Sequence, residues 1–134
     1  MLALRESVTE PPNYVIRDLK RKTVRALTTF ADPAPEFAGV TRQLITYPRA
    51  DGVQLSATLY LPPGYRKEQG PLPFFFWAYP REFLTEQGAS QLSGSPLQFK
   101  RPARQDHLLL LALGYGVLDN PTMPIVGKDS REPN

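Results

Sequence analysis

Prolines set the limits of what this chain can build. Fifteen of its 134 residues are proline, ten of them gathered at "EPP", "DPAPEF", "LPPG", "GPLP" and "NPTMP". Each fixes φ and removes a backbone donor, so it ends or bends whatever segment it meets. Spaced along the chain in this way, they punctuate short segments and predict a strand-rich fold with sharp corners.

The segments between them can be read in order. Tyr14 to Leu19, "YVIRDL", and Thr23 to Thr28, "TVRALT", flank the turn "KRK" and predict a β-hairpin, with Val15, Leu19, Val24 and Leu27 among its apolar contacts. A lone hairpin is marginal in water, so this one is expected to belong to a larger sheet. The stretch "ADPAPEFAG", Ala31 to Gly39, reads as a linker at a domain boundary. Beyond it, Val40 to Pro48 is a strand candidate, and Asp51-Gly52 supplies a hairpin turn.

The next strand, "VQLSATLYL", alternates with period two. Val53, Leu55, Ala57, Leu59 and Leu61 fall on the apolar face, and Gln54, Ser56, Thr58 and Tyr60 fall on the other. Pro71 to Pro80, "PLPFFFWAYP", does not alternate, as expected of a central strand covered on both faces. After a long polar excursion, Asp106 can start a helix over "HLLLLAL", with Gly114 as its left-handed cap. Tyr115 to Asp119 closes the series as a strand. Two antiparallel strands leading into a strand–helix–strand unit predict an α/β sheet.

Composition excludes several functions. Hydrophobic residues make up 41% and charged residues 22%, with a net charge of +3 and no dense basic stripe, so nucleic-acid binding is not expected. The run "RDLKRKTVR" reads as a solvated hairpin turn. Without cysteine there are no disulfides, thiolate nucleophiles or cysteine-based zinc sites. That composition fits a reducing compartment, and a cytoplasmic setting is expected. The opening "MLALRESVTEPP" lacks the pattern of a signal peptide, and Leu108 to Leu113 is too short to span a bilayer, so no membrane partner is expected.

Residues able to carry chemistry are few. Ser7, Ser56, Ser90, Ser93, Ser95 and Ser130 all lack the flanking glycines of the G-x-S-x-G elbow; Ser93 and Ser95 in "QLSGSPL" come nearest and fit a loop better. The single histidine, His107, reads as a neutral or solvated helix-end residue with no serine to pair with. One histidine and scattered carboxylates do not make a metal site, and no cofactor is implied. Glu82 and Glu86 stand four apart and read as a surface loop or helix start rather than a paired-acid site. Tyr79 ends the apolar strand. It reads either as packing or as a phenol able to donate a hydrogen bond to a developing oxyanion.

Beyond these local readings, "ESVTEPPNYVIRDL", "ADGVQLSATLYLPPGY", "WAYPREF", "GSP" with Phe99 nearby, and "GYGVLDNPTMPIVG" together resemble the prolyl oligopeptidase family of serine peptidases, its glutamyl-endopeptidase-like branch above all. The resemblance implies a β-propeller joined to an α/β-hydrolase domain. Residues 1–30 would then be the C-terminal end of the propeller, 31–39 a linker, and 40–134 the N-terminal part of the hydrolase sheet. It further implies that Tyr79 serves the oxyanion hole, that the parent's substrate is a peptide, and that hydrolysis passes through an acyl-serine intermediate. The family's serine, aspartate and histidine fall later than "GKDSREPN", so a portion without peptidase activity of its own is expected.

With later strands absent, the edge of "PFFFWAY" is exposed, which invites self-association. A non-catalytic interaction module working through exposed strand edges is the alternative function. An esterase-like parent is disfavoured by the propeller-like hairpin. Arg81 could attract an acidic substrate group, but an Arg81–Glu82 surface pair is the plainer reading.

Overall fold

The computed structural model describes residues 1–83, 95 and 97–126, with the backbone alone for 81–83. The chain divides into two compact units, one built from Met1–Ala38 with Gly94–Arg101, the other from Gly39–Ser93 with Pro102–Asn134.

The first unit is a three-stranded antiparallel sheet of β1 (Leu2–Arg5), β2 (Asn13–Asp18) and β3 (Thr23–Ala26), with β2 in the middle. The expected hairpin is β2–β3. Its turn is closed by the Asp18 carboxylate, which accepts from the backbone N–H groups of Lys20 and Arg21 at 3.0 Å each, while Lys22 takes the left-handed conformation (φ 52°). The third strand, β1, was not expected. The apolar contacts also differ from the reading: Val15 is buried, whereas Leu19, Val24 and Leu27 are exposed. A single sheet this small shields only its central strand's inward residue.

Within this unit the proline-rich stretch is ordered by its own chemistry. Pro35–Phe37 forms a 3-10 turn, and Ala34 and Phe37 are buried. Asp32 accepts the Ala34 N–H at 3.0 Å and is forked by the Arg101 guanidinium, with Nε at 2.9 Å and Nη2 at 2.7 Å from Oδ2. The guanidinium of Arg101 also lies 4.5 Å from the Phe99 ring centroid. The hydrogen bond from Arg101 holds the Asp32 carboxyl below its ordinary pKa, against the opposing pull of burial. A planar fork of this kind suits a largely buried charge that must be fully paired.

The second unit contains a four-stranded sheet in the order β4 (Thr41–Pro48), β5 (Gln54–Leu61), β8 (Gly116–Asp119), β6 (Phe74–Trp77). Strands β4 and β5 pair antiparallel from Thr41↔Leu61 to Pro48↔Gln54, across a turn where Gly52 takes φ 90°, a conformation that suits glycine. Strand β8 is antiparallel to β5 and parallel to β6. The short β7 (Arg81–Phe83) and β9 (Pro124–Val126) then pair parallel as a separate two-stranded sheet. The β6 and β8 lines therefore run on side by side beyond Pro80 and Pro121.

Between β6 and β8 the segment His107–Leu113 is a 3-10 helix. The Asp106 side chain caps it by accepting the Leu108 N–H, and Gly114 ends it at φ 82°, as the sequence predicts. The tighter winding has a packing reason: residues three apart eclipse in a 3-10 helix, and Leu108 and Leu111, each 2% exposed, are the pair it buries. The described residues are thus mostly β-structure, with 3-10 turns where an α-helix was expected.

Two strand readings need correction. "PFFFWAY" is not central among the described strands. Strand β6 lies at the sheet edge, with Phe76 63% exposed and Phe74 and Trp77 also open to solvent. On β5, Tyr60 was placed on the polar face yet is buried. Register explains it: Tyr60 pairs with Val117 and Thr58 with Asp119, so that face lies beside β8 and the 3-10 helix rather than water. Gly116 meets a different constraint, because a Cβ there would fall 2.5 Å from the Phe74 ring.

Candidate functional site

The carboxyl ends of β6 and β8 hold the chemistry-bearing groups of the second unit. Parallel pairing sets Trp77 opposite Asp119, and the Asn120 N–H donates to the Trp77 carbonyl at 2.8 Å. Asn120, at φ 48°, turns the chain immediately after the strand. Strand ends in open parallel sheets are where ligand-facing groups collect.

Tyr79 stands two residues beyond β6 and is 76% exposed. Among the described residues no hydrogen bond engages its hydroxyl.

His107 opens the 3-10 helix, the helix-end position read from the sequence, and there it faces carboxylates rather than solvent alone. Its Nε2 lies 2.9 Å from Asp119 Oδ1 and its Nδ1 3.4 Å from Asp106 Oδ1. The imidazole stacks on the Trp77 indole, with centroids 4.9 Å apart and planes at 14°. Phe75 flanks it at 6.3 Å. Asp119 is the one buried charged residue among those described, 9% exposed, and its hydrogen bond to His107 satisfies it.

Nothing in the sequence joins residues 107 and 119. The available signal was Asp119 itself, a carboxylate ending a buried apolar strand, which needs a partner.

Tyr60 completes the cluster. Burial pushes its phenol above the ordinary tyrosine pKa, opposed by the nearby Arg42 and reinforced by Asp119 and Asp106.

The setting of this histidine differs from that of a triad histidine. A triad histidine turns one nitrogen to a carboxylate and the other to the nucleophile. Here both nitrogens face carboxylates. The serines are elsewhere: Ser56 on β5 has its backbone N–H and carbonyl bonded to Thr122, and Ser95 accepts the Leu97 N–H. Ser90, Ser93, Ser130 and Glu86 lie outside the described residues, as do the side chains of Arg81 and Glu82. Among the described residues no group of histidines and carboxylates could hold a metal ion, and no helix is long and apolar enough to cross a membrane.

No protein-family model matches the chain. Two curated relatives are similar along its whole length, both bearing the name probable glutamyl endopeptidase, chloroplastic: that of Arabidopsis thaliana at 42% identity and that of Oryza sativa subsp. japonica at 43%. The alignment takes in 100% of this chain and 14% of each relative, so the chain spans about one seventh of their length. The solved structure of the unliganded isopeptidase AtxE2 is similar at a TM-score of 0.50 and 20% identity, over 89% of this chain and 16% of that one. A variant of the same isopeptidase with Astexin3-dC4 bound gives a TM-score of 0.49 at the same identity and coverage. The likeness to the glutamyl-endopeptidase branch read from the sequence therefore extends over every residue of the chain.

Proposed function

We infer that the chain is a portion of a serine-type peptidase of the prolyl oligopeptidase family, and that Tyr79 is its one residue of the reaction centre. The observation that supports this reading is the 42% identity sustained over the whole chain with a plastid glutamyl endopeptidase. On this reading residues 1–30 are the end of a β-propeller, 31–39 connect, and 40–134 open an α/β-hydrolase domain. A reducing, cytoplasmic setting belongs to the same reading, since the chain has no cysteine.

The chemistry assigned to Tyr79 is electrostatic. As a serine oxygen supplied from outside these 134 residues attacks a peptide carbonyl, negative charge gathers on the carbonyl oxygen. The Tyr79 hydroxyl donates a hydrogen bond to it without ionising, and that bond strengthens as the charge grows. Collapse to the acyl-serine expels the amine, and water then releases the acid. The chain alone performs none of this. It has no G-x-S-x-G serine, its histidine is held by two aspartates, and a donor without its triad accelerates little.

A second reading is a non-catalytic module that pairs or self-associates through strand edges; the exposed β6 edge favours it. One experiment separates the two. The chain is mixed with the remaining part of the Arabidopsis relative, and peptide hydrolysis and fluorophosphonate labelling are followed. The peptidase reading expects no labelling of the chain alone, activity on mixing, and a kcat lowered about 10²–10³-fold by Tyr79→Phe, the usual effect of losing one oxyanion donor. Labelling of the isolated chain, or an unaltered kcat in Tyr79→Phe, overturns it. Association without activity favours the module.

A further inference from the structure

Three contacts close a triangle at the end of β6. Trp77 and Asp119 are register partners in parallel strands. Asp119 Oδ1 meets His107 Nε2 at 2.9 Å. The His107 ring returns to Trp77, stacked at 4.9 Å. Two residues beyond Trp77 the chain reaches Tyr79.

We propose that His107 is a positioning residue for Tyr79: clamped by Asp119 and Asp106, it braces Trp77 and thereby fixes the strand end that presents the Tyr79 phenol. This rests on the reading of Tyr79 as oxyanion donor. Strand β6 has one strand partner, and Tyr79 lies in the short stretch between the β6–β8 and β7–β9 pairings, where no ladder pair fixes the backbone. The stacked imidazole supplies the missing restraint on one face of the indole.

The brace has a carboxylate facing each ring nitrogen, Asp119 at 2.9 Å and Asp106 at 3.4 Å, and the imidazole can donate to them. The ionisable groups facing the ring are Asp106 from the helix cap and Asp119 from β8. Tyr60 from β5 lies beside them, with Arg42 from β4 against Tyr60. From strand β6, Phe75 and Trp77 face the ring.

Trp77 is the sole tryptophan, so the indole emission of the intact chain comes from this residue. His107→Ala removes the stacked ring and should shift that emission, and the Tyr79 ring resonance, assigned by its absence in Tyr79→Phe, should move with it. His107→Phe, which keeps a ring against the indole, should bring both signals back towards those of the parent chain. Should His107→Ala fail to fold, Asp119→Asn serves: it weakens the contact that holds the imidazole and must move both signals together. Indole emission that is unchanged when the ring is removed overturns the proposal. So does a Tyr79 resonance that stays still while the Trp77 emission shifts. Neither signal involves a peptide, so failure here leaves the peptidase reading standing. Conversely, signals that move together beside an unaltered kcat in Tyr79→Phe would sink the peptidase role alone.

Discussion

Thr122 takes the place in the β5 ladder that Pro121 cannot fill. Its N–H donates to the Ser56 carbonyl at 2.8 Å, and its Oγ1 accepts the Ser56 N–H at 2.7 Å. Continuing the β5–β8 register past Thr58↔Asp119 would set residue 121 against Ser56, but proline has no N–H to give. The threonine therefore extends the ladder with one backbone and one side-chain group. Thr122→Val keeps the shape and removes the acceptor, leaving the Ser56 N–H without its partner. A loss of about 1–2 kcal/mol in urea unfolding is expected, with Thr122→Ser losing less.

The 3-10 helix should show a three-residue rhythm of sensitivity. Leu108→Ala and Leu111→Ala each empty a fully buried position and should lose about 2–5 kcal/mol. Leu113, largely exposed, should change stability by less than about 0.5 kcal/mol on the same substitution. Equal losses at Leu108 and Leu113 would contradict the eclipsed packing.

The β4–β5 turn should weaken in acid. The Arg49 side chain donates to both oxygens of Asp51, at 2.8 and 2.7 Å, and to the Pro124 carbonyl at 2.7 Å. The hydrogen bonds from Arg49 lower the Asp51 pKa from 3.8 to about 2. A carboxylate with a depressed folded-state pKa stabilises the fold above its unfolded value and loses that contribution as pH falls. The turn should therefore hold full strength above pH 3.8 and give up this contribution towards pH 2. Carbon-13 titration of the Asp51 carboxyl checks it, and Asp51→Asn should remove the dependence in that window.

Strand β6 should govern solubility. Phe76 is mostly exposed on an edge strand, and such edges template association. Phe76→Lys should lower light scattering at a given concentration while changing stability by no more than about 0.5 kcal/mol. Unchanged scattering would place the sticky surface elsewhere.

Local chemistry made much of this legible beforehand. The β4–β5 hairpin followed from strict alternation and an Asp-Gly pair, and the Gly114 cap followed from a leucine run ending in glycine. What was hidden depended on neighbours distant in sequence. Tyr60 lies on the polar side of its own strand, and only pairing with β8 buries it. The apolarity of "PFFFW" suggested covering on both faces, yet composition cannot say whether the covering strands are present. The polar environment of His107 needed Asp119, twelve residues on, and Trp77, thirty residues back. Tyr79 stood out only through family resemblance, since an aromatic residue at a strand end has an ordinary packing explanation.

Gly116 and Phe74 have a consequence for how such chains diverge. The ring at position 74 fills the space that a side chain at 116 would need, across paired strands. The two positions are therefore coupled. A lineage that acquires a side chain at 116 should also shrink the residue at 74 or swing its ring outward, which the 43% exposure of Phe74 allows.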